Sequence, residues 1–312
     1  MISSAIREAW TIPKEDAGHR LDRFLEARTH EEVSRSQLTR AIAQGCVAIN
    51  GVIVHKAGTR LRTGDLVVTD IPPTTTPSLV PEDIPVDILY LDDDVIVVSK
   101  PAGLVVHPGP GHPGGTLVNA LLHLLPKPEE EHLRPGIVHR LDKDTSGVMV
   151  VARSPAALAC LAAQFSAHTT QRRYEAIILG KHLPDEGTFD TPHARHPKDR
   201  KRFTGNASRG RQAITHYQIL ERFRTTSLIR CQLETGRTHQ IRMHLAEAGA
   251  PLLGDEAYGG RRARSRHIHR QALHARTLGF AHPRGGTLEF DVDPPEDFTS
   301  ALAALRSGKE HQ

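Results

Sequence analysis

The sequence predicts an α+β protein: a small helix-helix-hairpin module, then a large mixed domain built mainly on an antiparallel sheet. Three observations predict it. Helical periodicity near the start gives way at Asn50-Gly51 to a strong hairpin signal. Pro72, Pro73, Pro77 and Pro81 then sit among threonines, which favours extended chain over helix. Beyond them strands dominate and many are joined by short turns, the pattern of antiparallel pairing.

The module is expected over residues 18–71. Leu21, Phe24 and Leu25 recur at helical spacing. Ser34 and Ser36 offer N-caps for a second helix, Gln37 to Ala43, which Gly45 ends. Val47 to Asn50 alternates like a strand, Val52-Ile53-Val54 returns, and Thr59 to Val68 is extended. Residues 72–85 form the linker. From Ile71 to Ser99 there are six acidic residues and no Lys or Arg, a poor surface for nucleic acid.

The large domain is expected over residues 86–305. Ile88 to Leu91 and Val95 to Ser99 flank Asp92-Asp93-Asp94 as a hairpin. Thr116 to Leu125 reads as a helix and Val148 to Ala152 as an apolar strand. Ser154 caps a helix to Phe165 with Pro155 at its first position. Tyr174 to Leu179, Ile214 to Leu220 and Ser227 to Leu233 read as strands. Thr238 to Ala248 reads as a helix with Thr238 as its N-cap. Its core stripe is Ile241, Leu245 and Ala248, so Arg242 points to another side, toward solvent or a carboxylate of another element.

Composition excludes several classes. At 312 residues and 38% hydrophobic the chain has room for a core. The longest apolar run, Ala156 to Ala163, is far below the ~18 residues of a membrane span. Arg7 and Glu8 stand where a signal peptide would be apolar, so a cytoplasmic location is expected. Cys46, Cys160 and Cys231 are too scattered for a disulfide framework or a thiolate zinc site.

Charge is uneven. The net charge is +4, and 31 of the 40 basic residues are Arg. Arg binds phosphate in a bidentate way that Lys cannot, although a genome rich in G and C would also favour it. His193 to Arg230 holds ten Lys or Arg against two acids, and Arg261 to Arg284 holds seven Arg and no acid. The module adds Arg20, Arg23, Arg35, Arg40 and Lys56 around its helices and hairpin. These clusters suit a phosphate backbone, or are solvated basic loops.

Gly109, Gly111 and Gly114 match a dinucleotide-binding pattern, but Pro110 and Pro113 remove backbone donors and no βαβ unit surrounds them. A glycine-proline active-site loop is the better reading. His193/His196, His239/His244 and His267/His269 lack trustworthy metal-ligand spacing, so no metal is expected. Between Gly136 and Ala152 a polar turn joins two apolar stretches. There Asp142 stands beside Arg140 and Lys143, whose charge would keep it ionised as a nucleophile or base. A carboxylate that merely caps the turn fits the pattern equally well.

The run His139-Arg140-Leu141-Asp142-Lys143-Asp144-Thr145-Ser146-Gly147 resembles the signature of the RluA-type pseudouridine synthases. Arg173-Tyr174-Glu175-Ala176 and Thr235 to Leu245 resemble the family's second and third motifs, in order, and Arg270 to Ala275 also fits. The first module resembles an S4 RNA-binding domain through Arg20-Leu21-Asp22 and Ser34-Arg35-Ser36. Val106 to Gly109 and Arg134-Pro135-Gly136 bring it nearest to members that modify a stem-loop of large-subunit (23S) ribosomal RNA. Those members have Thr where this chain has Ser146, which bears on substrate identity and not on catalysis.

The resemblance implies conversion of uridine to pseudouridine. Uracil leaves its C1′–N1 bond, rotates and rejoins through C5, so neither cofactor nor metal is required. It implies that Asp142 is the catalytic carboxylate, attacking the sugar, attacking the base or assisting glycal formation. Arg242 would orient Asp142 and hold its pKa down. Tyr174 would stack on the flipped base and take the C5 proton, with a cation nearby because a free phenol titrates at about 10. Arg140 would fill the space the base vacates, with His139 beside it positioning substrate. Arg200, Arg202, Arg237, His239 and the basic residues of the module would hold RNA. The implied partner is ribosomal RNA, free or in an assembling particle, with no membrane partner and a monomeric chain. The alternatives are a catalytically silent RNA-binding protein and a synthase acting on another rRNA or tRNA site.

Overall fold

The computed structural model describes residues 7–29, 35–71, 80–109, 112–124, 136–180 and 182–308, with backbone only for Arg35 and Ser36. Ser34, most of the proline linker (72–79) and Arg134-Pro135 lie outside the described residues. The chain divides into two compact units, Met1–Ser78 and Leu79–Gln312.

The first unit contains β1 (Ala9–Thr11), α1 (Leu21–Arg28), α2 (Arg35–Ala43), β2 (Val47–Ile49), β3 (Val52–Ile53) and β4 (Leu66–Thr69). Its sheet runs β1-β4-β2-β3. Leu21, Phe24 and Leu25 of α1 pack with Leu38 and Ile42 of α2 over Val47 and Val67 of the sheet. Asn50 and Gly51 both take positive φ, 52° and 79°, as a two-residue turn matching strand twist demands. The extended stretch expected from Thr59 is a strand only from Leu66, because Gly64 turns the chain with φ 84°. β1 was not foreseen; it lies ahead of residue 18 and pairs with β4.

The second unit contains β5 (Asp87–Leu91), β6 (Val95–Lys100), α3 (Leu117–Leu124), β7 (Gly136–Ile137), β8 (Ser146–Ala152), α4 (Pro155–Ser166), β9 (Gln171–Leu179), β10 (Glu186–Arg195), β11 (Phe203–Thr204), β12 (Arg211–Arg222), β13 (Thr226–Leu233), α5 (Gln240–Glu247), α6 (Glu256–Gly259), β14 (Leu273–Ala281), β15 (Thr287–Asp291) and α7 (Glu296–Arg306). The strands form one sheet in the order β11-β10-β12-β13-β9-β14-β8-β6-β5, with β15 on β14 and β7 on β8. The ladders are antiparallel except β14 with β8. The α+β class with a mainly antiparallel sheet is thus as expected from sequence.

Period-two alternation on the central strands feeds two cores. Ile96, Val98, Met149 and Val151 face α3 and α5, whereas Val95, Val97, Val148 and Val150 face α4. α7 packs Phe298, Ala301 and Leu305 on Ile177 and Leu228. Ser154 caps α4 through the Ala157 N–H, 3.1 Å, as its sequence indicated.

Candidate active site

Asp142 lies on the loop between β7 and β8, which Thr145 N–H closes by donating to the Asp142 carbonyl, 3.1 Å. Three donors from other elements pin this loop. Lys100 Nζ and Gly103 N donate to the Lys143 carbonyl, 3.0 and 2.9 Å, and Arg270 Nη1 donates to that of Asp144, 3.1 Å. Lys100 is fully buried, and its ammonium also donates to Pro101 and Leu104. Burial pushes it down to about 7, against the charges of Asp144 and Asp142. Arg270 is clamped by Asp297, 2.7 and 2.8 Å. Where the loop enters β8, Ser146 Oγ meets His274 Nδ1 at 2.9 Å, and His274 Nε2 donates to the Val292 carbonyl, 2.8 Å. Gly147 takes φ 122°, and a Cβ there would strike the backbone of Ala275 across the parallel ladder, so both the conformation and the close approach require glycine.

The cation facing Asp142 is Arg242. Its Nη1 donates to Asp142 Oδ2, 3.2 Å, whereas the sequence neighbours Arg140 and Lys143 form no ion pair with it among the described contacts. Arg242 is itself anchored by Asp255, Nε to Oδ2 at 2.6 Å and Nη2 to Oδ1 at 3.0 Å. Burial opposes the Arg242 charge, but the two carboxylates outweigh it and its pKa rises. His239 Nε2 lies 3.9 Å from Asp142 Oδ1, and burial lowers its pKa against the pull of Asp142.

Thr238 is not the cap of α5. The helix begins at Gln240 after His239 in the left-handed region, φ 56°, with no side-chain cap. The Gln240 side chain instead fixes the turn ahead of the helix: its Oε1 accepts from Arg237 N–H, 3.0 Å, and from Thr235 Oγ1, 2.8 Å. Gln240 to Leu245 are all buried, so Arg242 reaches carboxylates rather than solvent.

A cleft of about 590 Å³ opens over this pair. Asp142, Tyr174, Arg242, Arg140, His139, Arg237 and His239 all line it, as does Arg172. Tyr174 is 8% exposed on β9. Burial pushes its phenol up, Arg172 opposes this, and Asp142 adds to it. His139 stacks on Phe165 at 4.5 Å and accepts from Val150 N–H, 3.1 Å. Burial, with Arg172 nearby, pushes its imidazole down to about 3, so it is a neutral acceptor. Arg140 is exposed.

The proposed RNA-contacting residues are dispersed. Arg23, Arg40, Lys56 and Arg200 are exposed, and the Arg35 side chain lies outside the description. Arg20 donates to Asp22 through Nε and Nη2, both at 2.9 Å. Arg202 sits over the Tyr258 ring, 4.9 Å from its centroid. No described residue of the glycine-proline segment 109–114 lines the cleft, although His107 just ahead of it does. Asp92, Asp94 and His282 converge at ligand spacing, but Asp92 Oδ1 already accepts from Asp94 and Val95 N–H, and Arg284 pairs with Asp94. Their geometry fits closure of the β5–β6 hairpin better than an ion site.

Sequence reasoning missed Lys100, Asp255 and Arg172. Asp255 gave no periodic signal, and a lysine ending an apolar strand reads as its solvated end. Residues 94–247 match the model of the RNA pseudouridylate synthases, and residues 19–67 that of the S4 domain. The ribosomal large subunit pseudouridine synthase D of Xanthomonas campestris is 44% identical, over 98% of this chain and 94% of that protein. An uncharacterized RNA pseudouridine synthase of Bacillus subtilis, YlyB, is 43% identical over 95% of this chain and 97% of its own length. Among solved structures, human RNA pseudouridylate synthase domain containing 4 superposes with a TM-score of 0.55 at 26% identity, covering 70% of this chain and 93% of that one.

Proposed function

The chain belongs to the RNA pseudouridylate synthases, and from that premise we propose that it isomerises uridines of large-subunit (23S) ribosomal RNA with Asp142 as the catalytic carboxylate. The observation that carries this reading is the Asp142–Arg242 contact at the floor of the cleft, with Arg242 fixed from behind by Asp255. An arginine held bidentately by one carboxylate leaves the other in a single, longer hydrogen bond. Asp142 is therefore oriented without being locked, which suits a group that must engage the sugar or the base.

Tyr174 forms a wall on which the extruded uracil stacks. Extrusion costs a few kcal/mol, least in a loop, which favours a stem-loop target. The raised phenol pKa keeps Tyr174 protonated at rest, so it can take the C5 proton only after giving up its own, and the nearby Arg172 charge lowers the cost of that phenolate. Arg140, exposed two residues before Asp142, enters the space the base leaves. The S4 unit adds affinity and register, without chemistry, to rRNA that is free or in an assembling particle. A monomer suffices, because every proposed catalytic group comes from one chain. No helix of the described residues is long and apolar enough to cross a membrane.

The test is incubation of the protein and of Asp142→Ala with large-subunit rRNA tritiated at uridine C5. Release by the wild type alone, followed by mapping of the product, establishes the reaction and names the uridines. RNA binding with no release from the wild type would replace this reading by a silent binder or a different substrate.

A further inference from the structure

Among the described residues Arg172 is a buried cation with no ion-pair partner. It is 5% exposed, and no carboxylate of the described residues supports its charge. Its Nη2 donates to the Glu234 carbonyl, 2.5 Å, while its Nε–H is buried without an acceptor. A buried charge with no counter-ion is strongly destabilising, so folds rarely retain one without use. Here the fold makes room for it. The guanidinium lies 5.5 Å from the Phe165 ring centroid, and a Cβ on Gly236 would fall 2.7 Å from its Nη1. Arg172 and Tyr174 are two residues apart on β9, so they face the same side, roughly 7 Å apart, and both line the cleft.

We infer that Arg172 receives the negative charge that the target uracil gains on a carbonyl oxygen during isomerisation. The inference rests on the reading that the cleft isomerises uridine. If Asp142 attacks C1′ or assists glycal formation, the C1′–N1 bonding pair stays with the uracil and spreads over N1, O2 and O4. If Asp142 attacks C6, the C5=C6 pair moves onto O4. In each course an oxygen becomes anionic, the C1′–N1 bond breaks and C5 bonds to C1′; any bond from Asp142 to C1′ or C6 breaks with its pair returning to the carboxylate, or the C2′ proton taken in glycal formation is returned, and the C5 proton leaves to a base. A fixed guanidinium in a water-poor wall stabilises that charge without reorganising. The backbone phosphate is the other anion an RNA brings. Burial favours the base, because an extruded base enters the cleft while phosphates stay at its solvated rim, where Arg140 is exposed.

The test uses the full chain, single-turnover tritium release at saturating rRNA, and RNA binding at two salt concentrations. Arg172→Met should lower the saturated rate roughly 10²–10³-fold while binding and its salt slope stay within about twofold of wild type. Gly236→Ala keeps the charge but crowds Nη1, and should slow the same step less; it carries the test should Arg172→Met not fold. Sulfur in place of uracil O2 or O4 accepts hydrogen bonds poorly. One of the two substitutions should slow the wild type and slow Arg172→Met no further, a coupling that a structural residue would not show. Unchanged saturated rates in both variants would overturn the inference. So would sulfur effects that simply add, or weakened binding with a salt slope lower by about one, the mark of a phosphate contact. No release from the wild type would overturn the functional reading itself, and this inference with it.

Discussion

The Arg242 guanidinium donates to both oxygens of Asp255, at 2.6 and 3.0 Å, and both side chains are nearly buried. Asp142 receives one bond of 3.2 Å from the same head. Asp255→Asn would leave Arg242 to Asp142 alone and uncompensate a buried charge. A stability loss on the order of 3 kcal/mol in urea denaturation is expected. The saturated rate should fall too, because Asp142 would be drawn tighter onto Arg242. A change below about 0.5 kcal/mol would show that Asp255 is not the anchor.

Tyr174→Phe keeps the ring and removes the hydroxyl. If the Tyr174 oxygen, as phenolate, takes the C5 proton, RNA binding should persist while tritium release drops by roughly 10²-fold or more, the usual scale of a lost acid–base group. Equal losses of binding and release would instead assign Tyr174 to stacking alone.

Gly147→Ala should be among the most damaging single changes in the chain. The position has φ 122°, and the added Cβ would lie 2.6 Å from Ala275 N. Relief requires parting β8 from β14, directly beside the Asp142 loop. Loss of folding, or a penalty beyond ~4 kcal/mol by urea denaturation, is expected.

His274 supplies a pH dependence with a definite sign. Burial pushes its imidazole down to about 4 from an ordinary value of 6.5. Between these values the unfolded chain binds a proton that the folded chain does not. Its contribution is therefore present above pH ~6.5 and lost as pH falls through about 4, up to about 3 kcal/mol. His244, also pushed down to about 4, acts in the same direction. Unfolding free energies at several pH values between 7.5 and 4.5 should fall less steeply for His274→Gln than for the wild type.

What could be read from the sequence was contiguous. The Asp142 loop and the segment around Arg242 announce themselves as contiguous motifs, each readable within a dozen residues. Their meeting across 100 residues is a tertiary fact, and so are the anchors. Lys100 acts across 43 residues and Arg270 across 126, and neither distance leaves a local pattern. β10 escaped notice because it alternates exposed and half-buried positions and contains Pro192, which weakens a strand reading. The cap of α5 was misassigned because Thr238 is the better intrinsic capper. The chain instead enters the helix through His239 in the left-handed region, and the buried Gln240 amide holds the preceding turn against Ile214 of β12, a contact that requires β12 to be in place.

The most direct measurement is the single-turnover rate of Asp142→Asn on C5-tritiated large-subunit rRNA. The substitution keeps the shape of the side chain and removes its charge. The account predicts a folded protein that binds the RNA as the wild type does and releases no tritium above background. Release at a rate near that of the wild type would contradict it, because the carboxylate facing Arg242 would then not be the group that drives the isomerisation.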